Sequence, residues 1–255
     1  KSGGYNLPVP IVTVGGVPQA APAVEPEVLD AYEIGLKSEL FDRRLRLNVS
    51  AFHYDYTNMQ VSSVQNGAPQ LLNAAGAKMN GVDVDWQFVP TERISFSGGI
   101  SYLDSKFSDF PVGPYYVPNP ASCATLETTG PQTGGNTTCF TDLEDYRTPR
   151  APKFSASFTA AYTQPTEIGD FQASATLYHN SGFFWEPDNQ LEQPSYNLLS
   201  AAIVWTSPSD RIEIQVYGRN LLDEYYYSYG AESSTRMAWS PEMPRNFGAS
   251  MTVHW

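Results

Sequence analysis

Charge is scarce in this 255-residue chain: Asp, Glu, Lys and Arg together make up 16%, against about 25% in ordinary soluble domains. Long apolar runs are missing too. No stretch of about eighteen apolar residues occurs, which excludes a membrane-spanning helix, and the mean hydropathy is slightly negative. Basic residues are outnumbered, 15 Lys and Arg against 27 Asp and Glu, so a net charge of −12 argues against a nucleic-acid surface. His53, His179 and His254 are far apart. There is no His-Glu-x-x-His, Gly-x-Ser-x-Gly, phosphate-binding glycine loop or Cys-x-x-Cys. The expectation is a protein that is not an enzyme, with no catalytic, cofactor or metal site.

Cysteine is limited to Cys123 and Cys139, both in a stretch rich in Pro, Gly and Thr. Their spacing suits a loop-closing disulfide in an oxidising compartment, which would contribute roughly 3 kcal/mol on the chain-entropy model. A pair of free thiols is the alternative. Lys1-Ser2-Gly3-Gly4 lacks the charged-then-apolar pattern of a signal peptide, so the chain is read as a piece cut from a longer protein.

What the chain has in quantity is aromatic residues, 13% with 16 Tyr, and period-two alternation. In the terminal segment Phe247, Ala249, Met251, Val253 and Trp255 fall on one side of an extended strand. Asn246, Gly248, Ser250, Thr252 and His254 fall on the other. The same pattern recurs in Leu45, Leu47, Val49 and Ala51; in Val82, Val84, Trp86 and Phe88; and in Ile94 to Tyr102. It returns in Phe154 to Tyr162, Phe171 to Leu177, 196–206, and Ile212 to Gly218. Residues 28–40 supply one further strand, expected to pair with 44–57. Residues 1–27, with Pro8, Pro10, Pro18, Pro22 and Pro26, read as a long loop.

Connections alternate in length, short near 41, 90, 167 and 208 and long near 65, 125, 187 and 233. Residues 104–149 form the longest. Phe41, Trp86, Phe88, Tyr162, Trp205 and Trp255 lie near the short turns or the C-terminus, as an interfacial aromatic girdle would. A transmembrane antiparallel β-barrel accounts for all of this, with lipid outside, a polar lumen, short periplasmic turns and long outer loops. A soluble sandwich gives no reason for such sorting. About nine strands are expected, as a meander over 28–255, forming an open sheet in isolation.

Several motifs then resemble one family. They are Pro26-Glu27 with Ala31 to Ser38, Leu45 to Tyr56, Asn73-Ala74-Ala75-Gly76 with Gly81 to Asp85, and Arg150-Ala151-Pro152. Tyr217 to Asp223 and Pro244 to Gly248 complete the set, while Lys1 to Tyr5 looks like the top of a preceding strand. Each is weak alone, but in this order they cover nearly the whole chain and resemble the TonB-dependent outer-membrane receptors, at the C-terminal part of their barrel.

The resemblance implies localisation in the cell outer membrane as a multi-pass barrel of 22 strands, whose plug domain and coupling segment are absent from this chain. It implies energised uptake of a bulky nutrient, a ferric siderophore first among candidates. The implied partners are outer-membrane lipid, a periplasmic TonB-type energy-coupling protein acting through the missing N-terminal region, the barrel assembly machinery and an extracellular small molecule. Phe247, Met251, Val253 and Trp255 would serve as the assembly signal. Tyr115, Tyr116, Phe184, Trp185, Tyr225, Tyr226, Tyr227, Tyr229, Arg236 and Trp239, on the long loops, are the candidate ligand contacts. A passive porin, a receptor for a glycan or cobalamin, and a rim-sited enzyme are the alternatives.

Overall fold

The computed structural model describes residues 2–3, 11–14, 17–20, 23–65, 68–118, 136–232 and 237–255. Every regular element among them is a strand. The first six are β1 (Ile11–Val14), β2 (Val17–Ala20), β3 (Val28–Leu40), β4 (Leu45–Gln65), β5 (Ala68–Thr91) and β6 (Ile94–Asp109). The next six are β7 (Gly113–Val117), β8 (Thr137–Thr141), β9 (Phe154–Thr166), β10 (Gly169–Asn180), β11 (Phe183–Phe184) and β12 (Glu192–Gln193). The last five are β13 (Tyr196–Thr206), β14 (Ile212–Arg219), β15 (Tyr227–Glu232), β16 (Met237–Pro241) and β17 (Asn246–Val253). Nine of these form one sheet in the order β17-β14-β13-β10-β9-β6-β5-β4-β3. Each strand pairs antiparallel with its predecessor in that sheet, and β3 meets β4 from Val28↔Thr57 to Leu40↔Leu45, as the alternation predicts. The sheet is open, with β3 and β17 at its edges.

Register carries the alternation across the whole sheet. Ile34, Ala51, Val82, Tyr102 and Phe154 stand in one cross-strand line. Tyr162, Ala173, Ile203, Val216 and Ala249 form another on the same face. The opposite face carries Gly35, Ser50, Asp83, Ser101 and Ser155, and further along Ala161, Ser174, Ala202, Tyr217 and Gly248. The apolar face is left uncovered: Ile34 is 76% and Met251 62% exposed. The chain's accessible surface of 15555 Å² compares with about 11,000 Å² for a compact globule of this mass. Water alone would penalise such a surface, whereas lipid on one side and a hydrated lumen on the other would not.

The apolar face has an upper limit. Tyr32, His53, Asn80 and Asp104 share the next cross-strand line above Ile34, Ala51, Val82 and Tyr102. There His53 Nδ1 is 2.8 Å from Asn80 Oδ1, and His179 Nδ1 stands equally 2.8 Å from Asn197 Oδ1. The two isolated histidines are thus strand residues held by amides at the edge of the apolar band. From Leu45 to His53 along β4 is about 26 Å at 3.3 Å per residue, a length suited to a tilted strand crossing a bilayer. At the opposite end the girdle residues find polar partners. Trp205 Nε1 donates to Ile168 O at 3.0 Å, and Tyr162 Oη donates to Gln164 Oε1 at 2.7 Å. The short turns are closed locally, with Thr91 Oγ1 accepting from Arg93 N at 3.3 Å and Ile94 N at 3.2 Å, and Ser207 Oγ accepting from Ile212 N at 3.0 Å.

Four expectations are corrected. The second and third strands extend far past Thr57 and back to Ala68, so the connection near 65 is strand rather than long loop. The extension passes through Asn58, held at φ 54°, and Asn73 Nδ2 secures that kink by donating to Asn58 O at 2.9 Å. Residues 104–149 are not irregular throughout, since β6 continues to Asp109 and β7 pairs with β8. The loops near 187 and 233 hold the hairpins β11–β12 and β15–β16. Within residues 1–27, β1 pairs with β2, Pro18 opposite Thr13, which a two-stranded hairpin tolerates because one side of each strand needs no partner. Most of the Lys1 to Tyr5 motif lies outside the described residues.

Candidate functional site

Buried side chains concentrate in the long loops and the strand ends beneath them, rather than in the sheet. Ala77, Phe107, Phe110 and Leu143 form one cluster, with Tyr56, Met59 and Tyr146 packed against it. It exists because the chain after β8 folds back along the top of β6. Phe107 N donates to Tyr146 O at 2.9 Å, Leu143 N to Phe110 O at 2.9 Å and Asp145 N to Phe107 O at 3.0 Å. These bonds satisfy backbone groups that burial would otherwise leave costly. Val117 and Cys139 form a second cluster with Tyr115 against it. Cys139 is disulfide-bonded and fully buried; Cys123 lies outside the described residues.

The loop between β10 and β13 is fastened on both sides. Toward the β8–β9 segment, Asn189 Nδ2 donates to Arg147 O and Asn189 Oδ1 accepts from Arg147 N, each at 2.9 Å. Arg150 N donates to Phe184 O at 2.7 Å, and Gln190 Nε2 reaches Tyr116 O at 2.8 Å. The guanidinium groups of Arg147 and Arg150 cover the rings of Phe184 and Trp185 at 5.6 and 5.5 Å, a favourable cation–ring arrangement. Toward the last loop, Tyr227 N donates to Gln193 Oε1 at 3.0 Å, and Tyr196 stacks on Tyr226 at 4.8 Å. Trp185 lies 6.2 Å from Tyr229. It sits so close over Gly230 that a Cβ there would come within 2.7 Å of the indole.

Between these loops lie three carboxyl groups that the sequence does not single out. Glu232, at the end of β15, is 2% exposed; its Oε1 accepts from Asn136 Nδ2 at 3.3 Å, while its Oε2 has no partner among the described residues. Burial pushes the Glu232 carboxyl up to about 7, and the charges of Asp188 and Glu186 add to the effect. Burial likewise pushes Glu186 up to about 7; a hydrogen bond from the Glu232 backbone pulls it down, Asp188 raises it and Arg150 lowers it. Asp188 is raised by burial against hydrogen bonds from Gln190 and the Tyr116 backbone.

The expected ligand contacts divide by burial. Tyr116 and Trp185 are 3% and 6% exposed and are fixed within the loop packing, and Tyr115 is half-buried against Cys139. Phe184 is half-buried beneath Arg147. Tyr225, Tyr229 and Trp239 remain exposed. Trp239 stacks on Tyr227 at 4.4 Å, and Tyr225 meets the same ring edge-on at 5.3 Å. Arg236 lies outside the described residues. Phe247, Met251 and Val253 stand on the uncovered apolar face of β17, with Trp255 fully exposed beyond it.

The motifs that carry the family resemblance join loops to strand ends. Asn73 Oδ1 accepts from Glu25 N at 2.9 Å, and Gln60 N donates to Glu27 Oε2 at 3.0 Å, joining Pro26-Glu27 to the Asn73 segment. Arg147 Nη2 donates to Ala151 O at 2.8 Å within the turn of Arg150-Ala151-Pro152. Asn220 is buried at φ 50°; its Nδ2 donates to Glu224 O and its Oδ1 accepts from Glu224 N, both at 2.9 Å. Asp223 Oδ1 accepts from Arg245 N at 3.1 Å. The Phe247 ring lies over Gly218, within 3.0 Å of where a Cβ would stand. In this chain each of these motifs closes a loop against a strand.

A nine-stranded antiparallel meander with one uncovered apolar face, one polar face, short turns at one end and structured loops at the other defines a section of transmembrane β-barrel wall. The family model for TonB dependent receptor-like β-barrels matches residues 2–221. The chain belongs to that family, whose barrels lie in the outer membrane. It is 24% identical to the pesticin receptor of Yersinia pestis over 99% of this chain and 32% of that protein. It is 25% identical to the metal-pseudopaline receptor CntO of Pseudomonas aeruginosa over 94% of this chain and 30% of that protein. Among solved structures, the ferric yersiniabactin uptake receptor FyuA from Yersinia pestis superposes with a TM-score of 0.73 at 21% identity, over 99% of this chain and 33% of that one. The chain spans about a third of the length of these relatives.

Proposed function

We propose that the protein containing this chain imports a metal chelate, a ferric siderophore in the first instance, across the outer membrane with energy delivered from the periplasm. Family membership over residues 2–221 is the observation that carries this reading. The relatives' names direct it to cargo, since they include receptors for metal-pseudopaline and ferric yersiniabactin. Tyr225, Tyr229 and Trp239 offer exposed rings to such a ligand, whose flat, polar-edged groups suit aromatic contact. Tyr116 and Trp185 serve by fixing the loops that present them. A TonB-type coupling protein would act through regions outside this chain. The C-terminal strand, through Phe247, Met251, Val253 and Trp255, would present the barrel to the assembly machinery.

The test is uptake of radio-iron siderophores by cells carrying the full-length protein. Saturable uptake is expected, lost when the coupling protein is deleted or the proton gradient collapsed. Energy-independent, non-saturable passage of small solutes would favour a porin, and energised uptake of a glycan or cobalamin but no siderophore would reassign the cargo.

A further inference from the structure

Glu186, Asp188 and Glu232 come together where three loops meet. Glu186 and Asp188 belong to the loop between β10 and β13, whereas Glu232 ends the first strand of the β15–β16 hairpin. Asn136, which donates to Glu232, and Tyr116, whose carbonyl receives Gln190, come from the loop bearing β7 and β8. Of the hydrogen bonds between the loop holding Glu186 and the β15–β16 hairpin, one joins Gln193 to Tyr227 and another carries the Glu186 carboxyl to the Glu232 backbone. A further contact there is aromatic, Trp185 against Tyr229 and Gly230. The indole N–H of Trp185 and Oε2 of Glu232 are both buried without a partner among the described residues. A buried, unpaired carboxylate oxygen is tolerable on a neutral acid and costly on an anion.

We propose that this carboxyl cluster is a proton-controlled latch: it holds the β15–β16 hairpin against the neighbouring loop when protonated and releases it when ionised. Among the described residues, the charged groups around it do not cancel its charge. The β8–β9 segment contributes Arg150, engaged over Trp185, and Arg147, engaged over Phe184. The loop itself contributes Asp188 and the exposed Glu192, and the hairpin contributes Glu232 alone among its described residues. Of these two guanidinium groups only that of Arg150 acts on the cluster, at Glu186, against two buried acids, Asp188 and Glu232, and the half-buried Glu186.

The sign follows from linkage. Released, Glu186 and Glu232 would regain their ordinary value of 4.5; in the closed arrangement both stand at about 7. The closed form therefore binds protons more tightly, is fully favoured below 4.5, weakens as pH rises through the interval and has lost this contribution above about 7. The two acids interact, so the change belongs to the pair rather than to either residue. An outer loop that loosens near neutral pH would couple surface acidity to access at the barrel mouth.

The experiment is distance measurement by double electron–electron resonance on the full-length protein in outer-membrane vesicles, with nitroxides on Ser195→Cys and Ser240→Cys. Both serines are exposed. At about pH 5.5 a single narrow distance is expected; by about pH 8.5 a longer population should have grown several-fold, reversibly. The paired substitutions Glu186→Gln and Glu232→Gln should keep the narrow distance throughout, whereas Glu192→Gln should leave the response of the wild type intact. A distance independent of pH in the wild type overturns the proposal, as does a response that survives the paired substitutions or disappears with Glu192→Gln. The wild-type titration decides even if the paired variant does not assemble. No cargo enters the measurement, so it stands or falls separately from the uptake reading.

Discussion

Replacing Met251 with arginine is expected to cost about 2 to 4 kcal/mol of folding stability in a bilayer, the penalty for a guanidinium on the lipid face near mid-membrane. Thr252→Arg, one residue on, is expected to cost much less. Met251 pairs with Ile214 on the apolar face, and Thr252 pairs with Glu213 on the polar face. A side chain extended from position 252 stays in the hydrated lumen beside a carboxylate. The comparison is informative because backbone, strand and depth are nearly shared and only the face differs. Reversible unfolding of the full-length protein in lipid vesicles measures both; equal penalties would mean that β17 does not separate lipid from lumen.

Phe107→Ala should be comparably damaging, at about 3 to 5 kcal/mol for a large side chain removed from a closed core, but the loss should appear in a different place. Phe107 is 1% exposed, and its ring lies 5.1 Å from that of Phe110. Its backbone binds both Tyr146 and Asp145. The void would open between the top of β6 and the segment returning toward β9, above the apolar band. Hydrogen exchange should therefore show lost protection at the amides of Phe107, Leu143 and Asp145, with β13 and β14 unchanged. Uniform loss over the sheet would show that the loop cluster and barrel wall are one cooperative unit, contrary to this reading.

The wall was legible because its physical demands repeat every two residues. Lipid asks for Leu, Val and Phe, the lumen for Ser, Asn and Asp, so strands such as Leu45–Ala51 and Val82–Phe88 announce themselves. The upper extensions of β4 and β5 were not legible. Above His53 the outer face turns polar as well, and the pair Asn66-Gly67 with Pro69 reads as a loop when it sits between extended strands. The hairpins β7–β8, β11–β12 and β15–β16 are too short for periodicity to register. The carboxyl cluster is harder still, for Asp188 and Glu232 lie on separate loops and nothing local marks either as buried. Trp185 and Tyr116 stood out as ligand contacts because an aromatic on a long loop looks available; their burial is a tertiary property.

The sidedness of the sheet is the claim on which the rest depends, and spin-label accessibility tests it most directly. Nitroxides placed one at a time on Val82, Ile100, Ile203 and Val216, and on their neighbours Asp83, Ser101, Ala202 and Gln215, would be read in bilayers containing the full-length protein. The first four are expected to collide preferentially with oxygen dissolved in lipid, and the second four with a water-soluble nickel chelate or, where packed, with neither. Preferential collision with the nickel chelate at all eight positions would contradict this expectation.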